Sequence, residues 1–191
     1  MRILYIDTHL KDINIILFND NKIIKEEHII DKKDNSKLLW PSLAKVIEKN
    51  DFDEILVVNG PGSFTGVRLG VTIAKTLAYT MNKKIKTIDY LDVMHTSCND
   101  KICAFSDGNG YYLKDFINNK LVYLTNKEYQ EYIKNKDVTT DVTIDYNNLL
   151  TFAKSIKYSN PHSVNPLYVK KISVELWFGE QLKRIYLLLM I

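Results

Sequence analysis

Residues 59–70 have the sequence Asn59-Gly60-Pro61-Gly62-Ser63-Phe64-Thr65-Gly66-Val67-Arg68-Leu69-Gly70, which contains four of the chain's seven glycines. Glycine has no Cβ and therefore allows positive φ angles and close backbone approach, so this clustering indicates a tight turn. The preceding run 54–58 predicts a buried strand, and Ser63 or Thr65 can cap the helix that follows. Since the free N–H groups of a helix start can hold an anion, phosphate binding is the first hypothesis. The alternative is a turn that only packs the helix against the sheet.

Two known phosphate-binding loops do not match this segment. The P-loop ends in Gly-Lys-Ser/Thr, whereas Val67 and Arg68 follow Gly66 here. The dinucleotide fingerprint requires Gly-x-Gly-x-x-Gly, and the spacing of Gly60, Gly62 and Gly66 differs from it. Glycines alone therefore do not establish a ligand.

Composition and charge indicate an ordinary soluble protein. The 191 residues are 46% hydrophobic and 26% charged, and the net charge of +3 is too small to imply nucleic-acid binding. The longest uncharged apolar run, 185–191, is too short to span a bilayer, and no signal peptide is recognised at Met1. We expect a cytoplasmic protein that does not bind membranes.

The residues that bind metals in proteins are few and scattered along the sequence. Cys98 and Cys103 form a C-x4-C pair without further cysteines, which is weak evidence for a metal and favours reduced thiols. The four histidines show no His-Glu-x-x-His spacing and are His9, His28, His95 and His162. The sequence therefore predicts no metal site and no cofactor.

Hydrophobic patterning predicts an α/β fold built on a mixed sheet with flanking helices. Three antiparallel strands, a helix, a strand and a second helix are expected, with bounds 3–8, 13–18, 22–29, 36–49, 55–58 and 67–81. A smaller second lobe is expected from residue 92, with a short helix at 91–97. Two paired strands, 102–106 and 111–116, follow around an Asp107-Gly108-Asn109-Gly110 turn. The predicted domains are residues 1–91 and 92–191, and 129–144 should be mostly surface.

The segment from Gly60 to Gly70, with the Ala74-Lys75 and Leu77-Ala78 pairs after it, resembles the signature of the TsaB (YeaZ-like) family of bacterial tRNA threonylcarbamoyladenosine biosynthesis proteins. This family was once grouped with glycoproteases. Weaker matches follow in the family's order and are Ile3 to Thr8, Ser36 with Leu38-Leu39, Asp107, and Pro166 to Lys170. The resemblance implies the actin-like ATPase (ribonuclease H-like) lobes of the actin, Hsp70 and sugar-kinase superfold.

Four positions depart from the family's pattern. The family has serine at the position of His9, histidine at that of Asn35, Asp-Ala-Arg where Asp107 precedes Gly108-Asn109, and arginine at that of Lys170. These departures weaken predictions about ligand contacts at those positions. They leave the glycine-rich signature intact.

The resemblance implies a subunit without catalytic residues of its own. Members of the family pair with the metal-bearing TsaD transferase and with the ATPase TsaE to modify the adenosine next to the anticodon of ANN-decoding tRNAs, so contact with tRNA is expected through the complex. The two helices of the first lobe are expected to meet the partner through Leu39, Leu43, Val46, Ile73, Leu77 and Met81, although such a stripe is also typical of a core. Whether the free chain is a homodimer stays open.

Two other functions compete with this interpretation. An actin-like kinase or ATPase would place a carboxylate on the first strand and a second glycine turn near phosphate, so Asp7, Thr8 and Asp107 form the candidate vestigial nucleotide site. Asp7 satisfied by backbone N–H groups and a simple hairpin turn at Asp107 are the structural alternatives. A peptidase has less support, because Ser63 and Thr65 lack the Gly-x-Ser-x-Gly spacing.

The glycine loop is expected to be architectural, and Gly62 and Gly66 should tolerate alanine poorly if they need positive φ. Arg68 lies at a helix start, where a cation is unfavourable, so it should have a specific partner, either a carboxylate or carbonyl of its own lobe or a bound phosphate. The segment 174–191 is expected to form a helix that docks through its apolar residues.

Overall fold

The computed structural model describes residues 1–20, 22–30, 35–47, 51–98 and 100–170. The first sheet has five strands in the order β3-β2-β1-β4-β5. Strands β1 to β3 are antiparallel, as the sequence predicts, and β4 and β5 run parallel to β1. The strands are β1 (Arg2–Asp7), β2 (Ile13–Asn19), β3 (Lys22–Ile29), β4 (Glu54–Val58) and β5 (Lys84–Ile88).

Helices cover both faces of this sheet. On one face lie α1 (Asn35–Ile47) and α2 (Phe64–Thr80), whose buried side chains join those of alternate strand residues in one core cluster. On the other face lie α3 (Tyr90–Cys98) and α5 (Tyr146–Ser155), which pack against the opposite set of strand side chains and against each other. Because β4 is buried along its whole length, it forms the centre of a three-layer lobe.

A second sheet contains three antiparallel strands in the order β6-β7-β8. Strands β6 (Ile102–Ser106) and β7 (Gly110–Asp115) pair around the predicted turn, and β8 (Lys120–Thr125) extends the sheet. A capping box at Thr125 and Glu128 starts α4 (Asn126–Tyr132), which covers one face of the sheet. Strand β8 and helices α4 and α5 are not among the elements predicted from the sequence.

The start of α2 differs from the prediction. The helix begins at Phe64 rather than near Val67, because the side chain of Ser63 accepts a hydrogen bond from the N–H of Gly66 at 3.0 Å and caps the first turn. Residues 48 and 49, the predicted end of α1, lie outside the described residues, and so does the predicted tail helix 174–191.

Packing contacts cross the domain boundary predicted at residue 92. Helix α5 contributes Leu149, Leu150 and Ala153 to the core of the first sheet, although the sequence assigns it to the second lobe. The chain after α5 then pairs with the first lobe again, with the N–H of Ser159 bonded to the Ile85 carbonyl at 2.9 Å. The second sheet is therefore inserted between α3 and α5.

The two ends of this insertion meet. The N–H of Asp145 donates to Oγ of Ser97 at 2.9 Å, one residue before α5 begins and one before α3 ends.

Among the helices that the structure describes, none combines the length and the apolar composition needed to cross a membrane.

Candidate functional site

The glycine loop holds the end of β1 unusually close to the start of α2. A Cβ on Gly62 would overlap the carbonyl oxygen of His9, and one on Gly66 would overlap the carbonyl oxygen of Thr8. The Thr8 hydroxyl in turn donates to the Gly66 carbonyl at 2.6 Å. Glycine is required here because any side chain would push the strand end and the helix apart.

The requirement for glycine at 62 and 66 therefore comes from contact and not from φ. Neither of them has positive φ, and the glycine of this loop with positive φ is Gly60, at +121°. A Cβ there would lie 2.7 Å from the carbonyl oxygen of Leu167, in the segment that returns to the first lobe. The loop thus supports β1 on one side and residues 165–168 on the other.

Three backbone donors at the start of α2 are already used inside the protein. The N–H of Ser63 donates to the His9 carbonyl at 2.6 Å, and the N–H of Val67 donates to the Ser63 carbonyl at 3.0 Å. The N–H of Gly66 donates to Oγ of Ser63. Because these groups are satisfied, the geometry favours an architectural turn over a phosphate cradle.

Asp7 ends β1 and is paired with His9. Nδ1 of His9 lies 2.7 Å from Oδ1 of Asp7, and the His9 N–H donates to the same oxygen at 3.0 Å. Asp7 is 2% exposed and His9 is 5% exposed. The imidazole at the position where the family has serine thus covers the carboxylate that a nucleotide-binding site would need open.

Aromatic rings close the site around His9. Its ring stacks on Tyr90 with the centroids 3.7 Å apart, and Phe105 from the second sheet meets it edge-on at 5.3 Å. Burial raises the pKa of Tyr5 well above its ordinary value, and the adjacent Asp7 carboxylate raises it further. Nε2 of His9 is buried and has no hydrogen-bond partner among the described residues.

Asp107 is engaged in its own hairpin. Its Oδ1 accepts hydrogen bonds from the N–H groups of Asn109 at 2.9 Å and Gly110 at 3.0 Å, and Lys170 approaches Oδ2 at 3.2 Å. Burial raises the pKa of Asp107, but the Asn109 N–H and the Lys170 ammonium outweigh this and hold it below its usual range. This arrangement is the simple hairpin turn that was the alternative to a second phosphate turn.

The second sheet touches the glycine loop through Tyr112. Its hydroxyl donates to the Gly62 carbonyl at 3.3 Å, and its ring contacts Tyr123 at 4.8 Å between centroids. The Tyr123 hydroxyl donates to Asp107 at 3.2 Å. Thr8 and the glycine loop are therefore in direct contact, whereas Asp107 reaches them through two tyrosines.

Within the described part of the protein, the partners of Arg68 are aromatic side chains rather than the expected carboxylate or carbonyl. Its Nε donates to the hydroxyl of Tyr168, and its guanidinium carbon lies 3.6 Å from the ring centroid of Phe64. The rings of Phe64 and Tyr168 stack with their centroids 5.6 Å apart. Tyr168 lies 100 residues away in sequence, so no local pattern could have identified this contact. Arg68 also lines a groove of about 550 Å³ between α2 and residues 164–168.

Most of the predicted partner interface is core. Leu39, Leu43 and Val46 are fully buried and Leu77 is 5% exposed, because these side chains pack between the helices and the sheet. Ile73 lies at the edge of this core and is partly buried, and Met81 is 41% exposed. Of the six residues, only Ile73 and Met81 therefore keep surface that another protein could contact.

Comparison with known sequences places these features in a family. The family model described as TsaD, tRNA N6-adenosine threonylcarbamoyltransferase, matches residues 16–158. The tRNA threonylcarbamoyladenosine biosynthesis protein TsaB of Bacillus subtilis is 35% identical over 99 residues, which are 49% of this chain and 43% of that protein. TsaB of Escherichia coli is 32% identical over 83 residues, 41% of this chain and 36% of that protein. The matched segments span less than half of each relative.

Two solved structures from Pseudomonas aeruginosa share the fold. YeaZ superposes with a TM-score of 0.64 at 14% identity over 87% of this chain and 99% of that chain. An uncharacterized protein with similarity to peptidase YeaZ superposes with a TM-score of 0.67 at 14% identity over 88% and 99%. The predicted fold class, actin-like α/β lobes with a mixed sheet and flanking helices, is confirmed.

Proposed function

This chain belongs to the tRNA N6-adenosine threonylcarbamoyltransferase (TsaD) family, and from this premise we propose that it supports the synthesis of threonylcarbamoyladenosine in tRNA as a non-catalytic subunit of the TsaB kind. The observation that carries the proposal is its 35% and 32% identity with the TsaB proteins of two bacteria. The modified position would be the adenosine next to the anticodon of ANN-decoding tRNAs, as in the family that the sequence resembles.

The site geometry supports the non-catalytic part of the proposal. Phosphoryl transfer in an actin-like lobe would need a carboxylate that faces bound nucleotide and metal, and Asp7 instead faces His9 in a buried pair. Asp107 is bound by its own turn and by Lys170. The engagement of both carboxylates inside the protein supports a role in which a partner performs the transfer step.

The partner that we propose is a TsaD-like transferase, with a TsaE-like ATPase completing the assembly and tRNA bound through the complex. The surface offered to the transferase is the outer side of α1 and α2. On these helices Trp40 is 56% exposed and Ile73 is partly buried, and Met81 follows α2 with 41% of its surface exposed. This set replaces the buried leucines as the proposed contact residues, because only exposed apolar area can be buried on association.

Reconstitution tests the proposed function. TsaD-like and TsaE-like proteins from the same organism are mixed with tRNA, threonine, bicarbonate and ATP, plus the enzyme that makes the threonylcarbamoyl donor, with and without this chain. We expect modified adenosine to form at least about tenfold more slowly without the chain. An undiminished rate in its absence would show the proposal to be wrong.

The variant Asp107→Asn separates support from catalysis. Asparagine keeps the size of the side chain and an oxygen that can accept the turn's N–H groups. If the chain is non-catalytic, the variant should support the reaction at the wild-type rate. A large loss of rate with an unchanged melting temperature would instead assign the carboxylate a chemical role.

A further inference from the structure

Away from the glycine loop, α3 and β6 bring together both cysteines and one histidine of the chain. His95 and Cys98 lie on α3, and Cys103 is the second residue of β6. One nitrogen of His95 and the two sulfurs all lie within 4.8 Å of one another, and the sulfurs are 3.4 Å apart. The structure thus assembles three side chains of the kinds that bind thiophilic metals.

The fold explains why these residues meet. His95 and Cys98 are three residues apart, so they share one face of α3. That face packs against β6, where Cys103 is fully buried. In the sequence, His95 and the C-x4-C pair do not match a known metal-binding spacing. The sequence therefore favours two reduced thiols at these positions.

A second observation concerns the imidazole of this cluster. Nδ1 of His95 is buried and has no hydrogen-bond partner among the described residues. Leaving a buried polar atom unpaired costs free energy, so such an atom calls for a ligand. The ring is held by stacking on Phe116, with centroids 3.8 Å apart and planes inclined by 13°.

We propose that His95, Cys98 and Cys103 bind one Zn²⁺ ion, with a water molecule in the fourth position. Two thiolates at about 2.3 Å from a tetrahedral zinc lie about 3.8 Å apart, so the observed sulfur separation needs only a small change. As each zinc–sulfur bond forms, the thiol releases its proton to solvent, and the metal charge compensates the two thiolates. The imidazole binds as a neutral ligand.

The consequence for the fold is a clamp between the two lobes. Cys98 ends α3, which packs on the first sheet, and Cys103 belongs to the second sheet. A zinc ion bound to both would fix the angle at which the chain enters the second sheet. Metal removal should therefore loosen the second sheet while leaving the first sheet intact.

The test uses the whole chain, reduced and stripped of metal with a chelator. Zn²⁺ is titrated in competition with a chromophoric chelator, and Co²⁺ is added separately as a spectroscopic substitute. We expect one ion per chain and, with Co²⁺, the thiolate charge-transfer and tetrahedral d–d absorption bands. The variants Cys98→Ser and His95→Gln should each weaken Zn²⁺ binding by roughly 100-fold or more.

The matched control is His28→Gln, because His28 lies on β3 and its side chain is 39% exposed. This variant should bind Zn²⁺ like the wild type. Zinc binding that Cys98→Ser leaves unchanged, or Co²⁺ spectra without thiolate bands, would overturn the proposal. So would a reduced chain that binds no zinc but loses two hydrogen masses in air, since the cysteines would then form a disulfide.

Discussion

The imidazole of His9 lies directly on the carboxylate of Asp7, with 2.7 Å between Nδ1 and Oδ1, and the pair is buried beneath Tyr90. Asp7 and His9 lie at the end of β1. The family that this sequence resembles has serine at the position of His9, directly after the Asp-Thr pair. The His9 ring therefore occupies the space beside Asp7 that a ligand would need, and its contacts stabilise the fold there.

Replacing His9 by serine should destabilise the protein by about 2–4 kcal/mol, because the change removes a stacked ring and a hydrogen bond to a buried carboxylate. Urea denaturation measures the effect. The control is His28→Ser on exposed β3, which should cost less than about 0.5 kcal/mol. Equal losses in the two variants would mean that the Asp7 pair contributes nothing specific.

Gly66→Ala should cost more stability than Gly108→Ala. The added methyl group at Gly66 would overlap the Thr8 carbonyl oxygen, which belongs to backbone and cannot easily move. At Gly108 nothing lies within 4 Å, and only its φ of +88° disfavours alanine, by about 1–2 kcal/mol. Urea midpoints of the two variants give the comparison, and a milder effect at Gly66 would contradict the close approach.

Arg68→Ala should loosen residues 165–168, the segment that returns to the first lobe, without unfolding the first sheet. The loss of a stacked guanidinium and its hydrogen bond to Tyr168 is expected to cost about 1 kcal/mol. Hydrogen exchange at the N–H of Leu167, which donates to the Asn59 carbonyl at 2.7 Å, reports the release. Tyr168→Phe keeps the ring and loses only the hydroxyl, so its effect should be smaller. If exchange at Leu167 is unchanged in Arg68→Ala, the contact does not hold the segment.

Ile73→Glu should weaken binding to a TsaD-like partner by at least about tenfold while the monomer stays folded. The reason is that Ile73 sits at the rim of the core and presents part of its side chain outward. Thr72→Glu adds the same charge on the neighbouring side of α2, along the groove, and is the matched control. Calorimetry with the partner measures both affinities. Global unfolding of Ile73→Glu would assign the residue to the core instead.

Asp92 should make the protein less stable as pH rises from about 4 to about 6. Burial, followed by its contact with Asp89, raises the pKa of Asp92 to about 6, although Lys114 at 2.6 Å opposes this. The folded state therefore holds the proton longer than the unfolded state does, and stability falls as that proton is lost. Asparagine does not titrate. The free energy of unfolding of Asp92→Asn should therefore rise relative to that of the wild type by on the order of 1 kcal/mol from about pH 4 to about pH 6. A difference that is flat with pH would contradict the shift.

The first sheet and the glycine loop were accessible from sequence because their signals are local. The apolar run of β4 and the glycines after it specify a strand, a turn and a helix without reference to distant residues. Helix α5 was missed although Asp145 caps it and Leu149, Leu150 and Ala153 form its buried face. This helix packs against a sheet built mostly from the first third of the chain. Its short apolar pattern therefore could not be assigned to a buried helix without knowledge of that distant packing partner.

The same distinction separates the parts of the site. Asp7 and His9 are two residues apart at a strand end, where side chains share a face, and this spacing was a signal that could have predicted the pair. The contacts of Arg68 with Tyr168 and of Tyr112 with Gly62 join residues 100 and 50 positions apart. The apolar stripe of α1 and α2 was identified correctly as a stripe, but only burial distinguishes core from interface.

The hydrogen bond between Ser97 and Asp145 makes the second sheet an excursion that departs from the first lobe and rejoins it at a single point. The strand register of the larger sheet is then independent of how many residues the excursion contains. Since closing a flexible loop of twice the length costs only about 0.6 kcal/mol more, natural selection is free to shorten or enlarge this part of the protein. Length variation among relatives should accordingly accumulate between these two residues, while the lobe that carries the glycine loop keeps its dimensions.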